Sequence, residues 1–223
     1  MSRPRLRRKD AAAVAAAFYV ACALIADTLA AQGVQTPLDW TVLRWRGPLA
    51  ADLFKFAAWF CVPFALSLPW LDVGWFSLRR WRRADWFLLG GIVVAGAAAM
   101  ALIPFVPSLR ETYGSASGLS PEQKWSMLIH SLVWTVSWLV GWEFMHRYFL
   151  LRPVSNAWPR YGWLLVPVFE TVYHLQKPLL EAGGMLLFSV VLTYWAIKRR
   201  NLMLPLIAHL IIELELIAFR LLF

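Results

Sequence analysis

Glutamate, histidine and arginine recur at one-turn spacing in the second half of the chain, inside otherwise apolar sequence. In Trp142-Glu143-Phe144-Met145-His146-Arg147 the glutamate and the arginine are four apart, so on a helix they stand one above the other and can form an ion pair. Glu170 and His174 share that spacing, as do His209 and Glu213, with Glu181 and Glu215 close by in sequence. A charged side chain at the centre of a bilayer helix costs at least about 2.5–3.5 kcal/mol, so a set of them implies mutual partners, a watery cavity, or both. A carboxylate holding a water, with imidazoles to exchange protons and stabilise an oxyanion, is sufficient to hydrolyse an amide in such a cavity. Two histidines and a glutamate from three helices would equally give the three protein ligands and open position of a catalytic zinc. The H-E-x-x-H pattern of helical zinc proteases is absent, which leaves any divalent metal undetermined. Nucleophile chemistry has less support. Cys22 and Cys61 are far from this cluster in sequence, and Ser131, Ser137 and Ser189 have no base beside them.

The elements that must position these groups are membrane helices. Of 223 residues, 60% are hydrophobic and only 16% charged, with 14 Trp and 14 Phe, which excludes an ordinary soluble domain. We expect an all-α fold, a polytopic transmembrane helix bundle forming one integral membrane domain over 1–223. About seven crossings are readable, at 10–31, 49–71, 86–106, 125–150, 161–176, 181–197 and 202–222, the fifth being short. The first is read as a retained helix, because its apolar run is longer than a signal-peptide core, contains Asp27 and is followed by no A-x-A site. Helices over 10–107 carry few ionisable groups, and a core of four helices over 120–222 carries many. Ser120-Pro121-Glu122-Gln123 reads as the cap and first turn of the fourth helix.

A net charge of +9 with 22 Lys and Arg would suggest nucleic acid on a soluble surface. Here the cations fall in clusters between apolar runs, so no nucleic-acid partner is expected and the lipid bilayer is the surrounding medium. Alternate loops hold fourteen cations on one side (Arg3 to Lys9, Arg79 to Arg83, Arg152, Arg160, Lys198 to Arg200) against six on the other. The positive-inside rule then predicts a cytoplasmic N-terminus and an extracytoplasmic C-terminus. Lys55 lies near enough to a helix end to snorkel. Arg147 does not.

The run Gly141-Trp142-Glu143-Phe144-Met145-His146-Arg147-Tyr148-Phe149-Leu150-Leu151, then His174 with Lys177-Pro178 and Glu181, then Pro205 with His209, resembles the bacterial CPBP intramembrane proteases. These are Abi-like relatives of the CAAX prenyl endopeptidases. The resemblance covers about 125–222. It implies motifs of the form E-E-x-x-x-R, F-x-x-x-H and H-x-x-x-N or H-x-x-x-D, and cleavage by a glutamate-activated water with histidines assisting. Three positions depart: Trp142 stands where the first glutamate is usual, Glu170 replaces the phenylalanine, and Glu213 replaces the final Asn or Asp. The chain resembles a branch of the family with a single W-E-F-type glutamate and a K-P-x-x-E stretch after the histidine. The resemblance implies an intramembrane protease of the bacterial inner membrane acting on membrane-anchored proteins or peptides, prenylated CAAX substrates not being expected there.

The expected roles are then Glu143, or alternatively Glu170, activating water, His174 exchanging the proton, His209 with Glu213 at the oxyanion, and Arg147 fixing Glu143. Two rival readings stay open. One is a non-catalytic membrane scaffold or bacteriocin-immunity-type binding protein, in which Glu143 and Arg147 are a structural ion pair. The other is a transporter using the charges as a proton relay, against which no inverted repeat is readable. His130 and His146 match no motif and read as structural. Glu143 and His209 have similar depths in their helices, whereas His174 lies deeper unless its helix begins near Pro167.

Overall fold

The computed structural model describes residues 8–33, 51–114, 116 and 118–223. Arg3, Arg5, Arg7, Arg44, Arg46, Leu49 at the expected start of the second crossing, and Ser115 and Ser117 lie outside the described residues. Among those described, every regular element is helical. In chain order they are α1 (Arg8–Ala31), α2 (Leu53–Trp70), α3 (Arg83–Phe105), α4 (Pro107–Tyr113) and α5 (Pro121–Phe144). The last continues through a π-helical segment, Met145–Leu150, into α6 (Leu151–Ala157), and is followed by α7 (Leu165–His174), α8 (Leu179–Arg199) and α9 (Met203–Leu222).

Four helices, α1, α2, α3 and α8, are long and apolar enough to cross a membrane. Helix α5 has 24 residues and α9 has 20. Helix α7, the fifth expected crossing, has only 10, about 15 Å at 1.5 Å per residue and half a hydrocarbon core. It starts two residues before Pro167, which sits in the first turn where a missing N–H does no harm. That late start accounts for the excess depth the sequence assigned to His174. The cap of α5 follows the sequence reading: the Ser120 hydroxyl accepts from the Gln123 N–H, the Gln123 side chain accepts from the Ser120 N–H, and Pro121 opens the helix.

Two helices widen to π geometry, at Phe56–Cys61 within α2 and at Met145–Leu150. Each widening is followed by a proline, Pro63 and Pro153. Proline offers no N–H to the carbonyl four residues back and its ring crowds that carbonyl. The carbonyls concerned, on Trp59 and Phe149, lie inside the widened turns, which relieve the conflict without breaking the helix.

The chain's direction reverses between helices in a way that gathers the arginine-rich connections at one end. There Arg199 pairs with Asp85, Arg200 with Asp72 at 3.5 Å, the Leu202 N–H donates to the Trp75 carbonyl at 2.7 Å, and the Asn201 amide donates to the Ser77 carbonyl at 2.7 Å. At the opposite end the Ala116 N–H donates to the Arg220 carbonyl at 2.9 Å and Lys124 to the Leu221 carbonyl at 3.0 Å. Phe18, Phe87, Val94 and Leu187 are exposed on the outside of the bundle, as suits helices solvated by lipid.

The core is aromatic. Trp59, Trp142, Phe144 and Tyr148 are buried, with Trp59 and Trp142 meeting edge to face at 5.3 Å. Helices α2 and α5 come together at Gly141, where a Cβ would lie 2.9 Å from the Trp59 Cβ and 3.1 Å from the Phe60 nitrogen. Only a glycine admits that backbone approach. Gly141→Ala should therefore lower stability by about 1–3 kcal/mol, read as a lower Tm in detergent, whereas Gly90→Ala, with nothing within 4 Å, should not.

Candidate functional site

Arg147 is the centre of a fully buried polar cluster. It, Glu143, His146, Glu170 and Ser189 have no exposed surface, and His209 has 6%. One guanidinium nitrogen, Nη1, donates to both Glu143 oxygens at 2.8 Å and to Glu170 Oε1 at 2.9 Å. The other, Nη2, donates to Glu170 Oε2 at 2.8 Å and reaches Ser189 Oγ at 3.5 Å. The planar fork thus holds carboxylates from α5 and α7 together with a hydroxyl from α8, an arrangement an ammonium could not reproduce.

The fourth contributor is α9. His209 Nδ1 lies 2.7 Å from Glu143 Oε1, and since a carboxylate accepts, the ring nitrogen donates. Two carboxylates against one guanidinium leave one negative charge, which the Nδ1–H of His209 stabilises on Glu143 by hydrogen bonding. With Nδ1 committed, the other ring nitrogen is presented away from Glu143. It lies 3.9 Å from Glu213 Oε1, on a side chain that is 22% exposed. The cluster is sealed on the Glu143 side and opens at His209.

His174 is placed differently from expectation. Its Nδ1 donates to the backbone carbonyl of Glu170 at 2.7 Å, so the expected side-chain pair of Glu170 and His174 does not form: the carboxylate turns to Arg147 and the imidazole to its own helix. Its Nε2 is then the free nitrogen, as in His209. The two rings pack edge-on against tryptophans of α5 one turn apart, His209 on Trp138 at 5.7 Å and His174 on Trp142 at 5.6 Å. Both imidazoles therefore lie along one face of α5 with a nitrogen available.

Several ionisable residues fall elsewhere. Glu181 accepts from Tyr113 and from Lys177, the latter at 2.7 Å, which ties α8 to α4 outside the cluster. Glu215 packs against Gly96 of α3. Ser137 bonds the Asp52 N–H and the Trp134 carbonyl, and Ser189 faces a cation, so neither has a base. Among the described residues no three His, Cys, Asp or Glu side chains gather so as to hold a metal ion. The donor set does not fit the zinc arrangement considered from sequence, because Glu143 and His209 are turned to each other.

Two contributors were not recognised from sequence. His146, read as structural, belongs to the cluster: its Nδ1 donates to the Trp142 carbonyl at 3.0 Å, 3.7 Å from Glu170 Oε1, and its Nε2 is buried without a partner. Its position three after Glu143 was the available signal. Asp27 of α1 accepts from the Tyr173 hydroxyl at 2.6 Å, and Lys55 lies 3.6 Å from both Asp27 and Asp52. Lys55 is thus paired inside the bundle, where snorkelling was expected. Tyr173 in turn packs on Trp142 at 5.2 Å, so the N-terminal helices steady the segment that carries His174.

Breaking a buried ion pair by removing one partner costs about 3–5 kcal/mol. Arg147→Met, which strands two carboxylates, should lower Tm more than Glu170→Gln, which strands none. Equal melting of Arg147→Met and wild type would contradict the clamp.

Residues 124–214 match the family described as type II CAAX prenyl endopeptidase Rce1-like. No curated protein and no solved structure matches the chain. The matched segment contains Glu143, Arg147, Glu170, His174, His209 and Glu213 and leaves out α1 to α3. The chain therefore has helices long and apolar enough to cross a membrane, and its residues 124–214 are similar to the Rce1-like CAAX endopeptidase family, the likeness that the motifs implied.

Proposed function

We propose that this protein is an intramembrane endopeptidase that hydrolyses a peptide bond of membrane-anchored substrates, with His209 as the base and Glu143 as its positioning residue. The observation that carries this reading is the 2.7 Å contact between His209 Nδ1 and Glu143 Oε1 with Nε2 left open. A buried carboxylate on one imidazole nitrogen fixes the tautomer and strengthens the other nitrogen as a base. In this role Glu143 acts through the histidine, since it has no exposed surface of its own.

His209 Nε2 takes a proton from water as the water oxygen attacks the scissile carbonyl carbon. The resulting tetrahedral oxyanion collapses, the C–N bond breaks, and the proton passes to the leaving amine nitrogen. His174, on the same face of α5, exchanges protons with the departing group, and Glu213 is within reach of the charge that develops on His209. Arg147 holds Glu143 and keeps its carboxylate from rotating off Nδ1. The reading also takes α5 and α9 with the four apolar helices as full passages, and α7 as a half-length helix that crosses only together with the segment before it. The arginine-rich end would lie in the cytoplasm by the positive-inside rule, in a bacterial inner membrane.

A second reading is favoured by a separate observation. Trp142 occupies the position of the family's first glutamate, and the Glu143, Arg147 and Glu170 cluster is closed to solvent, as suits a scaffold or immunity-type binding protein that has kept the bundle and lost the reaction.

Cleavage of membrane-anchored peptides by detergent-purified protein separates the two. If the enzyme reading holds, His209→Gln should lose roughly 100-fold or more of the rate with little change in Tm. Glu143→Gln should lose rate and Tm together. Arg147→Lys should also lose rate, because a single ammonium cannot hold both carboxylates. A wild-type protein inert toward every peptide, with His209→Gln altering only Tm, would establish the scaffold reading.

A further inference from the structure

At the arginine-rich end, well away from Glu143, a cavity of about 590 Å³ opens between α1, α2, α6 and α8. Its walls include Trp70, Trp75, Arg152, Asn156, Ile197 and Arg200. Arg152 is half-buried, and its Nη1 donates to the Trp70 carbonyl at 2.8 Å and to the Tyr148 hydroxyl. Its guanidinium lies 4.8–5.6 Å from the rings of Tyr148, Trp70 and Trp75. Among the described residues no carboxylate lies within 4.0 Å of it. This is a partly desolvated cation with aromatic neighbours, unused donor capacity and no ion-pair partner among the described residues, a combination that draws an anion.

A second lining residue repeats the sign. Arg200 ends α8 in the left-handed region, with φ 49, a conformation usually left to glycine or asparagine. Keeping an arginine there costs backbone energy, and what it secures is a second guanidinium on the cavity. Its contact with Asp72 at 3.5 Å is exposed, with 66% of the arginine side chain open, and so weakly binding. Arg8 and Lys9 stand one turn before the cavity-lining Ala12. The remaining lining is apolar and aromatic, and tryptophan is the residue that favours the level of lipid headgroups.

We propose that this cavity binds the phosphate of an anionic phospholipid, held between Arg152 and Arg200 with the acyl chains passing outward along the bundle. Basic pockets at the ends of membrane helices recognise such headgroups by charge and donor geometry. The free inorganic anion carries the same phosphate chemistry, so the two sources need separate arms.

Full-length protein in neutral detergent would be melted with short-chain phosphatidylglycerol, short-chain phosphatidylcholine or sodium phosphate. Phosphatidylglycerol should raise Tm by about 3 °C or more at tenfold excess over its Kd, and the other two should not. Arg200→Gly removes the charge and relaxes the backbone, so it should fold at least as well as wild type and lose most of that shift. Arg152→Gln should lose it as well. An equal shift with phosphatidylcholine, an equal shift with phosphate alone, or an undiminished shift in Arg200→Gly would each overturn the proposal.

Discussion

A guanidinium with no exposed surface has to be neutralised by groups that are buried with it, and the paths of four helices answer to that requirement. Arg147 takes two carboxylates, one from its own helix and one from α7, and touches a hydroxyl of α8. The surplus negative charge left by this pairing is met by the imidazole that α9 brings to Glu143. Removing the guanidinium would strand two buried carboxylates at a cost of about 3–5 kcal/mol. The cluster therefore acts as a registration point: α7 cannot slide along α5, nor α9 rotate, without stranding a charge. A fold in lipid gains little from apolar burial between helices, and a buried polar centre supplies the specificity that apolar contact lacks.

The same constraint explains the local irregularities. The π-helical segment that contains Arg147 relieves Pro153 and lets the helix carry on into α6, whose Arg152 lines the cavity at the arginine-rich end. Helix α7 is too short to cross alone, and it ends where His174 can turn its ring back on the Glu170 carbonyl. The N-terminal helices are not passengers. Asp27 and Lys55 form a smaller polar centre that grips Tyr173 beside His174, and α2 approaches α5 at Gly141 as closely as a glycine permits.

Much of the cluster was legible because charge in apolar sequence is costly and therefore informative. The one-turn spacing of Glu143 and Arg147 predicted their pairing, and the capping residues around Ser120 predicted where α5 begins. The alternation of basic loops predicted that their charges would share one end of the bundle, as the contacts around Arg199 to Leu202 show. What spacing could not give was rotamer choice. Glu170 and His174 have the same sequence relation as Glu143 and Arg147, yet one pair meets side chain to side chain and the other side chain to backbone. Nor could spacing reveal that Asp27, 146 residues from Tyr173, would reach it; the fifth crossing read as short, but its length of 10 residues was not readable.

The proposed chemistry depends most on how Glu143 orients His209, and the ring nitrogens report that directly. In protein labelled with 15N-histidine, the side-chain spectrum of His209, assigned by its disappearance in His209→Gln, should show a protonated Nδ1 and an Nε2 that carries the lone pair or exchanges with water. A His209 ring protonated on Nε2 with Nδ1 unprotonated would contradict it, because that nitrogen could then make no hydrogen bond to the Glu143 carboxylate.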